Sequence, residues 1–570
     1  MNSAVPRSHK VLVVTGGLLN EKETSPARAL KKQIAQWRAS ESAWLDLKVK
    51  LVMAEQVLLG RRELGSRRSR ADEVVRGYFS RQDNLWTPEL TEVVLTTALR
   101  QQGMDCAVAT VDDIFANSPQ LQAELEACDC VFLSCTLLRD LSEIEPLVQR
   151  LRRPHNRLVL GGALAGLLVD GWPGMPGVDV LAVGYGEMLV PALCDYIRSG
   201  FAELVAPPGG NAQQREHTLV LRSGLPPSRD LDFLPTPDWA ASARQHGRPL
   251  SMVHYESVRG CPYRCNFCNY PYLFDDSRFR YKSARRIADD WARYVEELGV
   301  EYITCLDSLF TMPRRRLAEL CELLVKRNIR VKWICYARAD DLAERDIAAM
   351  MKEAGAHQVQ IGIESGDQQQ LDNMDKQCSV EANHAALANC REVGLTSAVS
   401  LIVGFPGETP ASIENTFRFL KATPPDFYFL ATFSTRALGV PVLNEANRRR
   451  FDLDTDVSLR TVAPYWRHAT MSSLEVGGHV RALHRRLMAE KVALNAAVFY
   501  SGMLGFEPRQ REALLDFQQR ANDGHPLLRG CLDVVHKVTD ALLARDYARW
   551  QLRVRERGPS GPLPHRIHVR

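Results

Sequence analysis

The sequence predicts an α/β protein in three parts: an amino-terminal doubly wound, Rossmann-like domain, a central partial (β/α)6 barrel, and a mainly helical carboxyl-terminal domain. Three observations predict it. Short apolar runs recur at helix-sized intervals from Lys10 to Val183, the strand-then-helix rhythm restarts at Met252 and repeats six times to Thr432, and beyond Ala437 helical patterning dominates. The length of 570 residues suits roughly three or four domains at about 150 residues each. We place the boundaries at 1–205, with an insertion over about 18–88, a linker at 206–250, the barrel at 251–436 and the helical domain at 437–570.

Composition sets the class. The chain is 45% hydrophobic and 25% charged, ordinary for a globular protein. Its 72 basic and 68 acidic residues nearly balance, which leaves no electrostatic footprint for nucleic acid. Arg61–Arg70 and Arg448–Arg450 read as solvated faces. Met1–Lys10 is polar and Val11–Val14 is too short for a signal peptide, and no run approaches the roughly 18 apolar residues of a membrane helix. A cytoplasmic protein is expected. Its fourteen cysteines are then mostly reduced, with Cys106, Cys194, Cys321 and Cys531 as core residues.

In the first domain, Lys10–Thr15 reads as a buried parallel strand, followed by runs at Cys106–Thr110, Cys130–Ser134, Leu158–Leu160 and Val178–Val183, with helices at Leu90–Gln101 and Leu141–Leu151 between them. A doubly wound sheet binds its ligand at the carboxyl ends of its strands. Those ends carry Gly16 and Gly17, Ser134 and Thr136, Gly161 and Gly162, and the turn Gly184-Tyr-Gly-Glu187 that includes Gly186. Glycines there admit close approach of a large flat ligand; each pair alone is equally compatible with a tight turn. No G-x-G-x-x-G follows the first strand, which disfavours a dinucleotide. Ala206–Arg229, rich in Pro, Gly and Asn, reads as linker or surface hairpin.

The barrel opens with Cys261, Cys265 and Cys268 in a C-x3-C-x2-C array after the apolar run Met252–Val258. Three thiolates on one short loop suit a soft metal centre and leave one coordination position open. Structural zinc wants four closed ligands, and no second knuckle follows. Clustered buried cysteines or a zinc loop are the bland alternatives. The other strands of the barrel are read at Tyr302–Leu306, Val331–Tyr336, Gln358–Ile363, Thr396–Val403 and Phe427–Thr432, separated by helices such as Ala284–Leu298, Arg314–Lys326, Ala343–Glu353 and Val380–Val393. Barrel ligands sit at strand carboxyl ends. Those ends hold Asp307-Ser308, Arg338 and Asp340, Gly362-Ile-Glu-Ser-Gly366, and Ser400 with Gly404-Phe-Pro-Gly-Glu408.

The array, with Phe267 before its third cysteine, resembles the cluster motif of the radical S-adenosylmethionine (radical-SAM) enzymes. The resemblance implies a 4Fe-4S cluster on Cys261, Cys265 and Cys268 whose open iron chelates S-adenosylmethionine and cleaves it to a 5′-deoxyadenosyl radical. It assigns Asp307 to the methionine end of the cosubstrate, Glu364 to the ribose hydroxyls and Ser400 to the adenosine-proximal turn, with Arg338 beside them. Asp307 as a helix cap and Glu364 as a structural ion pair are the alternatives. Leu234-Pro-Thr-Pro-Asp-Trp239 resembles the lead-in to such barrels. The first domain resembles the cobalamin-binding domain that precedes many of them, through Gly161-Gly162 and Val183-Gly-Tyr-Gly-Glu187. The D-x-H-x-x-G motif is absent, so the resemblance implies cobalamin without a protein histidine on cobalt. Trp86, at the end of the insertion, is the candidate for the lower corrin face or else a core tryptophan.

In the last domain, Tyr465-Trp-Arg-His-Ala-Thr-Met471 is similar to a run in cobalamin-dependent radical-SAM methyltransferases, and His468 is either a substrate contact or a structural histidine. Arg553–Arg570 reads as a disordered tail. The resemblance implies C-methylation of an unactivated carbon through methylcobalamin, with an external electron donor such as flavodoxin or ferredoxin; with no second cysteine-rich region and no peptide-recognition domain in the sequence, a small secondary-metabolite intermediate is expected as substrate, as in antibiotic biosynthesis. A monomer without nucleic-acid or membrane partners is expected. Alternatives are rearrangement or cyclisation without methyl transfer, methylation of a peptide or free amino acid, a cobalamin-free radical-SAM enzyme, and a non-enzymatic iron–sulfur or corrinoid carrier.

Overall fold

The computed structural model describes residues 9–18, 25–61, 72–274, 276, 278–434, 439–456, 460, 464–496, 503–523 and 526–557. Of the basic run Arg61–Arg70, all but Arg61 lies outside the described residues, as does the tail beyond Arg557.

Seven strands form the first sheet: β1 (Lys10–Thr15), β2 (Asp105–Thr110), β3 (Cys130–Ser134), β4 (Arg157–Gly161), β5 (Val180–Val183), β6 (Asn211–Arg215) and β7 (Thr218–Arg222). Their order is β2-β1-β3-β4-β5-β7-β6, with only β6 antiparallel. Central strands of this kind are apolar on both faces because helices cover both. Leu12, Val14, Val131 and Leu133 pack to one side with the helix Leu141–Leu151. Val11, Val13, Phe132 and Val159 pack to the other with the helices Leu90–Gln101 and Gly186–Arg198. The chain reverses its winding between β1 and β3, which places a crevice at the carboxyl ends of those strands.

One boundary needs correction. β7 extends this sheet as a parallel neighbour of β5, so the stretch 206–250 begins as part of the first domain rather than as a linker. Its run Thr-Leu-Val-Leu is the reason: Val220 and Leu221 join the two cores of the sheet.

The barrel sheet runs in the order β19-β15-β14-β13-β12-β11-β8, all parallel, from β8 (Met252–Tyr255), β11 (Tyr302–Cys305), β12 (Lys332–Ala337), β13 (Ala356–Glu364), β14 (Thr396–Val403), β15 (Phe427–Thr432) and the short β19 (Leu494–Asn495). β19 is a seventh strand that the sequence reading did not anticipate; two residues carry no periodicity. The expected strand Met252–Val258 splits, because Val258–Arg259 (β9) leaves the barrel to pair antiparallel with Arg280–Tyr281 (β10). Alternate residues face outward and inward. Val253, Ile303, Cys335, Ile361, Val399 and Leu430 pack outward under the helices. Met252, Ile334, Ala398 and Phe427 point inward and meet Val75, Tyr78, Phe79, Met503 and Phe506, which close the barrel floor.

That floor shows where the insertion belongs. Its helix Glu73–Asn84 packs on Arg511–Asp523, and its helix Ala43–Arg61 packs on Val476–Ala489, Arg511–Asp523 and Pro526–Arg557. Glu55, 2% exposed, meets Arg481, Arg485 and His536, which hold its carboxyl well below the usual range against the opposing effect of burial. The carboxyl-terminal domain is mainly helical, as expected, but also holds a small sheet of β16 (Asp454–Thr455), β17 (Trp466–His468) and β18 (Met471–Ser472). Its last helix continues through the first residues of the expected disordered tail, to Arg557. No described helix is long and apolar enough to cross a membrane.

Candidate functional site

The cysteine loop begins where β9 leaves the barrel, and a buried carboxylate sets that departure. Asp307, fully buried after β11, accepts from the Ser257 amide and hydroxyl at 2.6 Å each and from the Val258 amide at 2.7 Å. Burial pushes its pKa up to about 6 despite Arg316 and these donors. Asp307 therefore clamps the chain entering the loop, and with no exposed surface it reaches a cosubstrate only through that chain. Ser308 continues the clamp, its hydroxyl donating to the Gly260 carbonyl at 2.8 Å.

Within the loop, Asn266 anchors to the Met374 carbonyl through its amide and to the Asn373 carbonyl through its side chain, both at 2.8 Å. Two cations stand over the loop's rings: Arg338 lies 3.8 Å from the Tyr263 ring centre, and Lys376 lies 5.8 Å from that of Phe267. Burial raises the Cys265 thiol, and the charges of Lys376 and Arg338 oppose it. Burial likewise pushes Cys268 to about 12. Among the described residues no three His, Cys, Asp or Glu side chains converge to hold a single metal ion. A cluster asks for something else: each cysteine binds a different iron, so the sulfurs surround a volume rather than a point. Three thiols on one anchored loop, backed by two cations, fit such an anionic group.

Glu364, at the end of β13 with a φ of 62°, pairs with Lys376 at 2.8 Å. The expected structural ion pair is thus present at this position. Arg338 holds the Lys376 and Gln377 carbonyls at 2.7 and 3.0 Å and pairs with Asp340. Ser400 is half-buried on the inward face of β14, in register with Gly362. Glu408, nine-tenths buried or more, is pushed up to about 8 by burial and accepts from the Gly404 amide, whose carbonyl faces His468 Nε2 at 3.3 Å. His468 stacks on Trp466 and is held neutral down to about 4 by burial.

In the crevice, Gly16, Gly162 and Gly184 take φ values of 106°, 110° and 103°. A Cβ on Gly162 would stand 2.6 Å from Thr136 Oγ1, and one on Gly184 2.3 Å from Ser223 Oγ, so the packing of neighbouring loops already demands glycine there. Ser134 is buried and Thr136 exposed, their hydroxyls 3.2 Å apart. Gly186 and Glu187 open the helix after β5. Glu187 does not face the crevice as a free ligand: its carboxylate is spent on Arg259, at 2.7 and 3.1 Å. Trp86 packs against His246 at 5.1 Å between ring centres and under Arg248 at 5.0 Å, partly buried at the main core. Cys531 is exposed rather than in the core.

Sequence reasoning missed three groups. Lys376 lies outside any strand end. Glu89, whose carboxyl accepts from the Gly16 amide and is pushed to about 7 by burial, follows the insertion with no motif around it. His254 and Thr304, in register on β8 and β11, carry Nδ1 and Oγ1 atoms buried without a hydrogen-bond partner on the inward strand face. Strand alternation was the available signal.

Residues 255–420 match the family model for the radical SAM superfamily. Curated relatives include the anaerobic magnesium-protoporphyrin IX monomethyl ester cyclase of Cereibacter sphaeroides, 28% identical over 44% of this chain and 42% of the relative. Another is the hopanoid C-3 methylase of Methylococcus capsulatus, 27% identical over 48% of this chain and 53% of the relative. The chain spans about half the length of these relatives. Among solved structures, the radical S-adenosylmethionine methyltransferase TsrM from Kitasatospora setae superimposes with a TM-score of 0.56 at 16% identity, over 78% of this chain and 96% of that one. The cobalamin-dependent S-adenosylmethionine radical enzyme OxsB does so with 0.54 at 16%, over 82% and 73%. Those two share its fold, and the matched segment, residues 255–420, contains the cysteine loop and is similar to the radical SAM superfamily.

Proposed function

We propose that the protein is a cobalamin-dependent radical-SAM C-methyltransferase acting on a small molecule, with cobalamin in the β1–β5 crevice and a 4Fe-4S cluster on Cys261, Cys265 and Cys268. The observation that carries this reading is the direct contact between the two sites: the turn that ends β5 is ion-paired to Arg259, two residues before Cys261. When bound, the cluster supplies the electron that cleaves S-adenosylmethionine and the corrinoid supplies a methyl carrier.

The chain's own part is holding and orienting. Asp307 and Ser308 fix the entry to the loop, and Asn266 anchors it between its second and third cysteines. Arg338 and Lys376 offset negative charge on its buried side. The closed floor of Met503, Leu504 and Phe506 keeps water from entering below. Neutral Glu408 and His468 hold the Gly404 turn without adding charge. The electron comes from an external donor of the flavodoxin or ferredoxin kind, and a cytoplasmic setting suits the reduced thiols.

Cyclisation or rearrangement is the second reading, favoured by the cyclase among the relatives. The test is anaerobic reconstitution with cobalamin, S-adenosylmethionine and a low-potential reductant. The expected result is a bound corrinoid with both S-adenosylhomocysteine and 5′-deoxyadenosine, the latter vanishing when the three cysteines are alanine. Deoxyadenosine without S-adenosylhomocysteine would overturn methyl transfer, and no corrinoid uptake would overturn the crevice assignment.

A further inference from the structure

The turn Gly184–Glu187 grips the flanks of the cysteine loop at three points. Glu187 and Arg259 form a two-pronged ion pair with side chains only 8% and 6% exposed. The Arg259 guanidinium sits between two rings, 4.9 Å from the centre of Tyr185 on the turn and 5.2 Å from that of Phe274 beyond the loop. The Tyr185 hydroxyl donates to Asp276 at 3.1 Å, and a Cβ on Gly184 would stand 3.4 Å from the Phe274 carbonyl.

A planar fork against a carboxylate fixes orientation as well as distance. A buried ion pair adds little net stability over apolar residues of the same volume, so what this one contributes is geometry. There is little slack between it and the first thiol. Gly260, at a φ of 76°, packs so tightly that a Cβ would meet the Arg278 carbonyl at 2.1 Å, and Ser308 holds its carbonyl from the other side. Movement of the turn therefore passes through Arg259 to Cys261. On its other side the turn presents the backbone of Gly184 and Gly186 at the carboxyl end of β5, on the crevice.

We propose that the Glu187–Arg259 pair is a positioning element that couples occupancy of the β1–β5 crevice to the geometry of the Cys261–Cys268 loop. The identity of the two occupants rests on the function proposed above; the coupling itself is read without turnover. Glu256 also bonds Arg259, at 2.7 and 3.0 Å, so the guanidinium keeps a counter-charge when Glu187 is neutralised.

The experiment uses the full chain, wild type and Glu187→Gln, with and without hydroxocobalamin. Hydrogen exchange over Val258–Cys268 is followed by mass spectrometry, and corrinoid uptake by absorption. In the wild type hydroxocobalamin is expected to slow exchange in the loop by about tenfold. Glu187→Gln is expected to bind the corrinoid yet show under about twofold slowing, and Glu187→Asp, which keeps the charge, to restore part of it. Equal slowing in wild type and Glu187→Gln, both corrinoid-loaded, overturns the proposal, as does a loaded wild type with no slowing. Should Glu187→Gln fail to fold, Tyr185→Phe, which loses only the bond to Asp276, is expected to lose part of the slowing, and full slowing there overturns it. A wild type that takes up no corrinoid overturns the function proposed above and the coupling together, and the absorption spectrum tells that case apart.

Discussion

Replacing Lys376 by methionine probes the charge arrangement behind the cysteine loop. Its Nζ stands 2.8 Å from Glu364 Oε1, and the two side chains are 8% and 9% exposed. At that separation the Coulomb attraction is about 6 kcal/mol at an effective dielectric of about 20. Desolvation of both ions returns most of it, so the pair as a whole is nearly neutral for stability. Removing one partner is different, because the other stays buried and uncompensated, at a cost of about 3–5 kcal/mol. Relaxation is blocked here: Glu364 has a φ of 62°, and a Cβ on Gly362 would lie 2.4 Å from Glu364 Oε1 and 2.9 Å from Lys376 Nζ. Lys376→Met and Glu364→Gln are each expected to lose about 3–5 kcal/mol, and the double variant to return to within about 1 kcal/mol of wild type, a coupling of about 3 kcal/mol or more. The assay is urea unfolding of the cluster-free protein, reading the fluorescence change of the barrel tryptophans Trp291 and Trp333, both fully buried. A coupling under about 1 kcal/mol, the size of a solvated surface pair, would refute the reasoning.

Three further outcomes are expected. With alanine at Cys261, Cys265 and Cys268, reconstituted iron and sulfide should fall to background while the far-ultraviolet circular dichroism stays unchanged; iron near the wild-type level would sink the cluster assignment. His484, buried against the Tyr428 hydroxyl at 2.8 Å, is held neutral to about 4. Its folded pKa lies below the unfolded value of about 6.5, so its contribution is present above pH 6.5 and lost as pH falls towards 4, about 2 kcal/mol of it between pH 7 and pH 5. His484→Gln should flatten the pH dependence of urea stability by that amount, and an unchanged slope would count against it. Gly404→Ala imposes a side chain at a φ of 88°, with its Cβ 2.6 Å from Val476 Cγ2 and 3.0 Å from the Trp466 ring. The expected loss is about 2–3 kcal/mol with a changed near-ultraviolet signal from Trp466; a loss under about 0.5 kcal/mol would show that the turn yields freely.

Strands and helices were legible wherever burial imposes an unbroken pattern. Thr396–Val403, Phe427–Thr432, Leu90–Gln101 and Leu141–Leu151 have the bounds their apolar periods suggest, since each buries one face along its length. The hairpin of β6 and β7 falls in the stretch read as linker or surface hairpin, but its place in the sheet beside β5 was not legible from the Pro, Gly and Asn around it. β9 was not either: what bends Met252–Val258 out of the barrel is Asp307, 50 residues away. The cysteine array needed no tertiary information, since its spacing is local. The carboxylates did. A carboxylate at a strand end reads the same whether it faces a ribose or an arginine, and the partners of Glu187 and Asp307 are 72 and 50 residues distant.

Taken together, those carboxylates share a task. Glu187 holds Arg259, Asp307 holds Ser257 and Val258, and Glu364 holds Lys376 over Phe267, so each of the three terminates on, or directly beside, the cysteine loop from a different element of the fold. A loop that must present three thiolates to one group binds it more tightly when its conformation is fixed beforehand. Three buried charges spent on framing it make sense as pre-organisation, since none of them is a net source of stability. The same spending leaves the inward barrel face short of charge. At His254 and Thr304 it offers a neutral imidazole, held so to about pH 4, and a hydroxyl. The polar capacity left on this part of the lumen is thus uncharged.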